Sequence, residues 1–227
     1  MNTCWICGKE ATTREHRVKA SDLRAIFGVV TQQTPLYTKR NGKVRILQSE
    51  KSDFAKYSAK ICHHCNTTKT QKYDEAWSEF SSYLLKNQSI IGSCKTLNAG
   101  KIFSGDFNKG LLYCHLYLLK VFGCKIIDDR VPFDLSGFSQ CILSGRAHPD
   151  LYFSVDKKIK PKNENYAATS HIQAIQHGNP ERVVYAAWYY IIGKVAVKIL
   201  YYVNKPPVRV HGHMIHPRNS KNFLRLT

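Results

Sequence analysis

Two pairs of cysteines, each with the spacing C-x2-C, are the residues of this sequence that point most directly to chemistry. The first pair is Cys4 and Cys7, and the second is Cys62 and Cys65. Four thiolates in two such pairs are typical of a tetrahedral structural zinc site. The long segment between the pairs is compatible with one shared site, because the entropic cost of closing a loop rises only slowly with its length. It also requires folded structure between the two halves of the site.

Polar residues beside these cysteines form a second group of candidates. Glu15 and His16 follow the first pair, and Asn66 directly follows Cys65. A neutral imidazole suits a general base near neutral pH, and carboxylate and amide oxygens suit Mg²⁺. Ordinary roles stay open for the same residues. A Glu-His pair occurs by chance on many surfaces, and an Asn at this position can simply cap the helix that follows.

In their order along the chain, these motifs resemble those of the HNH endonucleases, a family of ββα-metal nucleases. The resemblance rests on "CWIC", "REHRVKAS" and "CHHCNTTK" running into a helix, and it covers about residues 1–86. It implies that His16 is the general base, and that Glu15 and Asn66 hold a catalytic Mg²⁺ or Mn²⁺ ion. It also implies that the zinc is structural and holds the first strand to the helix.

The sequence departs from the family pattern in the connection between the two cysteine pairs. Family members often carry an Asn five residues before the second pair, where it orients the base, but Tyr57 stands there in this chain. The connection is also longer than the family's minimal form, and "ASDLRAIFG" predicts an additional helix within it. Four basic residues flank the proposed site and are candidates either for phosphate contacts or for an ordinary basic face: Arg14, Arg17, Lys69 and Lys72.

The net charge of the chain favours a polyanionic partner. Lysine and arginine number 34 against 16 acidic residues, which gives a formal charge of +18. A surplus of this size suits the neutralisation of nucleic-acid phosphates, and we expect double-stranded DNA as the partner. A basic surface without such a partner is the alternative. Other proteins of a defence system are further possible partners by the family resemblance, and no membrane is expected.

Hydrophobic patterns predict the elements that position these residues. Helical spacing of apolar residues predicts a helix over residues 70–85, and Asn41–Gly42 predicts the turn of a β-hairpin. The segment "GLLYCHLYLLKVF" is apolar on most sides, which predicts a buried helix over residues 110–122. Strand patterns predict strands at "FSQCILSG" and "LYFSV" and a long aromatic hairpin around Gly193–Lys194. The aromatic strands can form a core or a base-stacking platform, and the spacing favours the core.

These elements predict an α+β fold in two parts. Residues 1–88 form a zinc-stapled ββα-metal module. Residues 100–227 form an α+β domain with a buried helix and an antiparallel β-hairpin, whose role would be DNA binding, partner binding or autoinhibition. The N-terminus lacks the pattern of a signal peptide, and the apolar run at Val183–Ile192 is too short to span a bilayer. We therefore expect a cytoplasmic protein with reduced cysteines.

Together with the family resemblance, the sequence therefore predicts a metal-dependent DNA endonuclease that hydrolyses phosphodiester bonds at one active site and nicks DNA. The resemblance alone implies a setting such as defence against phage. Two alternatives remain: a catalytically silent, zinc-dependent nucleic-acid-binding protein, and an RNA-directed nuclease with the same motifs. The cluster His211, His213 and His216 has a spacing that suits a second metal site, but its position in a proline-containing tail also suits solvated side chains.

Overall fold

The fold was analysed in a computed structural model that describes residues 2–40, 42–91, 93, 96–156, 165–178, 182–204, 214–218 and 223–226. Within these residues the chain combines helices with antiparallel sheets, as the sequence predicts. A buried helix and a long antiparallel hairpin are both present.

Two short strands and a helix bring the motif residues together. β1 (Thr13–His16) pairs antiparallel with β4 (Lys56–Ile61). A π-helical turn over Cys65–Lys69 follows and leads into α2 (Gln71–Lys86), which confirms the predicted helix. The second cysteine pair therefore lies where the strand becomes a helix.

The sequence of these elements explains their packing. In β4 the side chains of Tyr57, Ala59 and Ile61 are buried while those between them face outward, which is the two-residue period of a strand with one buried face. In α2, Trp77 and Phe80 belong to a row of buried residues at three- and four-residue spacing, which is the apolar stripe of a helix.

An insertion separates β1 from β4. It contains α1 (Ala20–Phe27), which confirms the predicted additional helix, and a hairpin of β2 (Leu36–Arg40) and β3 (Lys43–Leu47). The hairpin confirms the prediction from Asn41–Gly42. Asn41 itself lies outside the described residues, and Gly42 has a φ of 78°, which glycine adopts without strain. A 3-10 turn at Asp53–Ala55 leads on to β4.

A long helix in the second half of the chain packs directly against the motif elements. After α3 (Gln88–Ile91) and β5 (Thr96–Asn98), α4 (Phe107–Asp129) lies against α2 and β4. It contains the predicted buried helix and is longer than predicted. The predicted strand at "FSQCILSG" is wrong, because this segment forms α5 (Ser136–Ser144). Phe138 and Ile142 are buried four residues apart. Residues at this spacing share a face in a helix and also in a strand, so a short apolar run does not decide between the two.

The remaining strands form a five-stranded antiparallel sheet, apart from one short strand. β6 (Leu151–Asp156), β10 (Val195–Tyr202), β9 (Val183–Ile192) and β7 (Ala167–Thr169) follow one another in the sheet, and β8 (Gln173–Gln176) also pairs with β9. β11 (Phe223–Arg225) pairs instead with β5. The strand at "LYFSV" and the aromatic hairpin are thus confirmed. Trp188 and Tyr190 are fully buried, which favours the core over a stacking platform.

One hydrophobic core connects the N-terminal cysteines with the C-terminal strands. The indole of Trp5 covers Gly123 of α4 so closely that a Cβ atom there would lie 2.5 Å from the ring. Within the described residues, α4 alone is long and apolar enough to cross a membrane, but 78% of its apolar window is buried in the fold. That burial is consistent with the core helix of a soluble protein.

Candidate metal and catalytic site

The four cysteines of the two C-x2-C pairs converge in the structure. Their sulfur atoms all lie within 4.8 Å of one another, and the Sγ atoms of Cys7 and Cys62 are 3.6 Å apart. Four thiolates at about 2.3 Å from one zinc ion lie roughly 3.8 Å from each other. The backbone N–H of Cys65 also points to the Cys62 sulfur at 3.4 Å, as is common in zinc knuckles. The donor set therefore fits a structural metal such as zinc.

Burial of the cysteines adds a reason for a cation at this site. Desolvation raises the pKa of the Cys65 and Cys4 thiols above their ordinary value. A cation among the four sulfurs favours the thiolate form and offsets that cost. Within the described residues, these four form the one cluster of His, Cys, Asp or Glu side chains that converges in this way.

The His16 side chain is held by the main chain of the insertion. Its Nε2 atom lies 3.0 Å from the backbone carbonyl oxygen of Glu50. A carbonyl oxygen only accepts hydrogen bonds, so Nε2 carries a proton and donates it, and the tautomer that this contact selects has its lone pair on Nδ1. The contact thus fixes the orientation of the ring and leaves Nδ1 able to accept a proton.

The ring of His16 is held by the Glu50 carbonyl and not by Tyr57, which stands where the HNH family often has an orienting Asn. The Tyr57 side chain is fully buried, and its hydroxyl donates to the backbone carbonyl of Arg17 at 3.4 Å. Glu50 itself is fixed by Arg24 of α1, whose guanidinium donates to both carboxylate oxygens at 3.1 and 2.6 Å. A main-chain contact of this kind leaves no side-chain signal in a sequence.

Glu15 faces a buried lysine that the sequence analysis did not identify. The Glu15 Oε2 atom lies 2.7 Å from Nζ of Lys120 on α4, and its Oε1 accepts the backbone N–H of His16 at 3.2 Å. Lys120 also donates to both oxygens of Asp74 at 3.0 and 2.9 Å. Lys19 completes the network, with its Nζ 3.6 Å from Asp74 Oδ1. The network thus contains two carboxylates and two ammonium groups.

Both members of the central ion pair stay charged. Burial works to raise the pKa of the Glu15 carboxyl, but the Lys120 ammonium outweighs it and holds this pKa below its ordinary value. Burial works to lower the pKa of Lys120, but Glu15 and Asp74 raise it above its ordinary value. Lys120 was visible in the sequence as a lone cation within the apolar run of α4, and a buried cation requires an anionic partner.

Asn66 offers a free acceptor at the same place. Its Oδ1 atom is buried and has no hydrogen-bond partner among the described residues. The turn at Cys65–Lys69, which carries Asn66, contacts β1, which carries Glu15 and His16. Buried carbonyl oxygens are normally satisfied, so an unpaired one on a turn that contacts β1 fits a ligand for a hard cation. Glu15 fits less simply, because such a cation must share its carboxylate with Lys120.

The four flanking basic residues differ in what they contact. Arg17 forms a bidentate ion pair with Asp128 of α4 at 2.6 and 2.8 Å, and it is mostly buried. Burial works to raise the pKa of Asp128, but Arg17 and Ser58 bind the carboxylate and lower this pKa to about 2. Arg14 pairs with the exposed Asp53. Lys69 is half-buried and Lys72 is exposed, so these two and Arg14 reach the solvent.

The C-terminal histidine cluster is described only at His216. His211 and His213 lie outside the described residues. His216 donates from Nε2 to the carbonyl of His148 at 3.0 Å and accepts the backbone N–H of Arg218 on Nδ1 at 3.1 Å. Both ring nitrogens therefore serve in hydrogen bonds of the fold.

No protein-family model, curated protein or solved structure in our comparisons matches this chain.

Proposed function

We propose that this chain is a metal-dependent DNA endonuclease of the HNH type, with one active site formed by β1, β4 and the start of α2. The observation that carries the proposal is the His16 contact with the Glu50 carbonyl, which leaves Nδ1 as a proton acceptor. The buried, unpaired Oδ1 of Asn66 on the adjoining turn supports a metal ligand there. The four-cysteine cluster supports a structural zinc that joins these elements.

In this proposal each side chain has one task. His16 accepts on Nδ1 a proton from a water molecule, whose oxygen forms a bond to phosphorus while the bond to the leaving oxygen breaks, and the leaving oxygen takes a proton from solvent water. Asn66 and Glu15 would hold Mg²⁺ or Mn²⁺. When bound, such an ion supplies stabilisation of the negative charge that develops on the phosphate oxygens. The Glu50 carbonyl keeps the imidazole in the tautomer that the step needs.

The substrate class follows from charge. The formal charge of +18 favours a nucleic acid, and among the flanking cations Arg14, Lys69 and Lys72 reach the solvent. We propose duplex DNA as the substrate and nicking as the outcome, because one active site cuts one strand. We also propose a cytoplasmic location, from the N-terminal sequence pattern, and a role in defence against phage, from the family resemblance.

A second candidate function is a zinc-dependent nucleic-acid-binding protein that does not cut. The ion pair of Glu15 with Lys120 favours it, because an ammonium group already neutralises the carboxylate proposed as a metal ligand. In that case the zinc-held elements serve only to present a basic surface.

A plasmid assay separates the two candidates. We expect the purified protein with Mg²⁺ or Mn²⁺ to nick supercoiled plasmid, and His16→Ala to reduce the rate by about 10²-fold or more, since general-base catalysis contributes about 10²–10⁴-fold. Asn66→Ala should raise the Mg²⁺ concentration needed for half-maximal rate, and Asn66→Asp, which keeps the oxygen ligand, should not. The exposed histidine variant His177→Ala is the matched control and should cut like the wild type.

Two results would overturn the nuclease proposal for DNA. Tight duplex binding without nicking under either metal would support the non-cutting protein. Cleavage of structured RNA in the same buffers, with the plasmid left intact, would instead identify an RNA-directed nuclease. Zinc content should be measured for every variant, so that a loss of activity is not mistaken for a loss of fold.

A further inference from the structure

The hairpin of β2 and β3 exposes apolar side chains to an unusual extent. Tyr37, Val44 and Ile46 are 70%, 61% and 52% exposed. The base of the hairpin is anchored, because Leu47 is buried and β3 contacts the 3-10 turn at Asp53–Ala55. The two strands pair with each other and with no third strand among the described residues. The hairpin is therefore a two-stranded ribbon with an unpartnered surface.

The register sorts the ribbon into two faces. Tyr37 lies opposite Ile46, and Lys39 lies opposite Val44. Side chains of directly opposed residues share a face, and so do residues two apart in a strand. One face therefore combines Tyr37, Ile46 and Val44 with Lys39, and we call it the apolar face. The other face carries Arg45 and Lys43, and the Arg45 guanidinium lies over the exposed ring of Phe54, 5.0 Å from its centre.

The charge of the ribbon indicates which kind of partner it binds. Residues 36–47 include four basic residues and no acidic one. The carboxylates that follow are already paired, Glu50 with Arg24 and Asp53 with Arg14. A surface of this charge complements phosphates and repels a second copy of itself. The major groove of B-DNA is wide enough to admit a two-stranded β-ribbon.

The ribbon is also joined to the proposed catalytic histidine. β3 ends at Leu47, and the backbone carbonyl that holds the His16 ring belongs to Glu50, three residues later. The base of the ribbon is therefore joined by a short connection to the segment that holds the His16 ring.

We propose that the β2–β3 ribbon is the main duplex-DNA-binding element of this protein. Its apolar face packs against sugar and base edges in the groove, and the exposed Lys39 on that face contacts a phosphate. The inference rests on the proposed function in taking duplex DNA as the substrate, but it concerns binding and does not require cleavage.

Binding of a labelled 24-base-pair duplex tests the ribbon directly in buffer without added Mg²⁺ or Mn²⁺ and without a chelator that would remove the structural zinc. Fluorescence anisotropy over a series of salt concentrations should show that Lys39→Ala binds about fivefold more weakly at 0.1 M salt. The slope of log K against log salt should fall by about one, since each lost phosphate contact removes about one counterion. Tyr37→Ala/Ile46→Ala should also weaken binding, with the slope unchanged, because it removes apolar contact and no charge.

A charge-matched control and a second probe decide the outcome. Lys86→Ala removes one exposed lysine at the far end of α2, and it should keep the affinity to within about twofold. Wild-type affinity in both ribbon variants would overturn the inference. The inference would also be overturned if the ribbon variants lost binding to duplex RNA and kept binding to duplex DNA. Dissociation of a dimer by Tyr37→Ala/Ile46→Ala, with DNA binding intact, would overturn it as well. Nicking of plasmid together with wild-type binding by the ribbon variants would refute the ribbon and leave the nuclease standing. DNA binding that depends on the ribbon, without any nicking, would support the ribbon and refute the nuclease.

Discussion

At the scale of single residues, Lys120 links the elements that carry the proposed site. Its ammonium is fully buried and joins Glu15 of β1 to Asp74 of α2. The free-energy cost of desolvating a buried cation is offset only when its charge is paired and its hydrogen bonds are satisfied. Lys120 satisfies both with two carboxylates and with Thr70, whose Oγ1 lies 3.3 Å away. The residue thereby fixes Glu15 beside His16.

Removal of the buried ammonium should be costly. We expect Lys120→Met to lower the free energy of unfolding by about 3–5 kcal/mol, because it leaves buried carboxylates without their cation. The double variant Lys120→Met/Glu15→Gln should recover part of this loss, since it also removes one of the unpaired charges. Urea unfolding followed by circular dichroism measures both values.

An exposed lysine of the same helix provides the control. Lys109→Met should change the free energy of unfolding by no more than about 0.5 kcal/mol, as is usual for surface substitutions. Equal stabilities of Lys120→Met and its double variant would contradict the ion pair, because the partner substitution would then have nothing to relieve.

At the scale of elements, local patterns carried most of the information that was recovered. The helical stripe of α2 and the Asn-Gly turn of the ribbon are properties of neighbouring residues, and both were predicted. The two C-x2-C pairs were predictable in the same way, because each pair is local. The segment of α5 was not, because its few buried positions fit a strand as well as a helix.

The rest of the site depends on contacts between distant segments. The Glu50 carbonyl reaches His16 from across the insertion, and Lys120 reaches Glu15 from the second half of the chain. A main-chain acceptor carries no residue-specific signal, and the partner of a buried lysine is set by how helices pack. Sequence reasoning could therefore name Glu15, His16 and Asn66 as candidates, but not the groups that hold them.

The cysteine cluster should govern the stability of the elements around it. The segment before β1 has little regular structure apart from a bridge between Thr3 and Glu10, so the metal site is its main attachment to the start of α2. We expect one zinc per chain. Cys65→Ser should lose it and lower the free energy of unfolding by more than about 4 kcal/mol, or the Tm by about 8 °C or more.

Elemental analysis and thermal unfolding test the metal site together. Cys141→Ser is the control, because Cys141 is a half-buried cysteine of α5 outside the cluster, and its variant should keep both the zinc and the Tm. A Cys65→Ser protein with one zinc per chain and an unchanged Tm would show that the cluster does not bind the ion.

At the scale of the whole molecule, the segments 1–88 and 100–227 are joined by charge as well as by packing. Arg17 pairs with Asp128, Glu15 pairs with Lys120, and Trp5 covers Gly123. All three contacts run from the motif elements to α4. The second half of the chain thus positions the proposed active site, whatever further role its sheet has.

Buried histidines on and beside α4 should make the fold sensitive to acid. The ring of His115 lies among His148 and His216, and its Nε2 accepts the backbone N–H of His148 at 3.1 Å. Burial, together with the nearby His216 and Arg218, lowers the pKa of His148 to about 4. Burial lowers the pKa of His115 further below its ordinary value. Both rings are therefore neutral in the folded protein.

Because the unfolded chain takes up these protons near pH 6.5, the folded state loses stability as the pH falls from about 6.5 toward 4. His148 alone should account for about 2–3 kcal/mol between pH 7.5 and 4.5. Urea unfolding across this range should show a shallower loss for His148→Gln than for the wild type. The exposed variant His177→Gln should retain the wild-type dependence. A loss of the same steepness in His148→Gln would mean that this imidazole is protonated equally in the folded and unfolded chains.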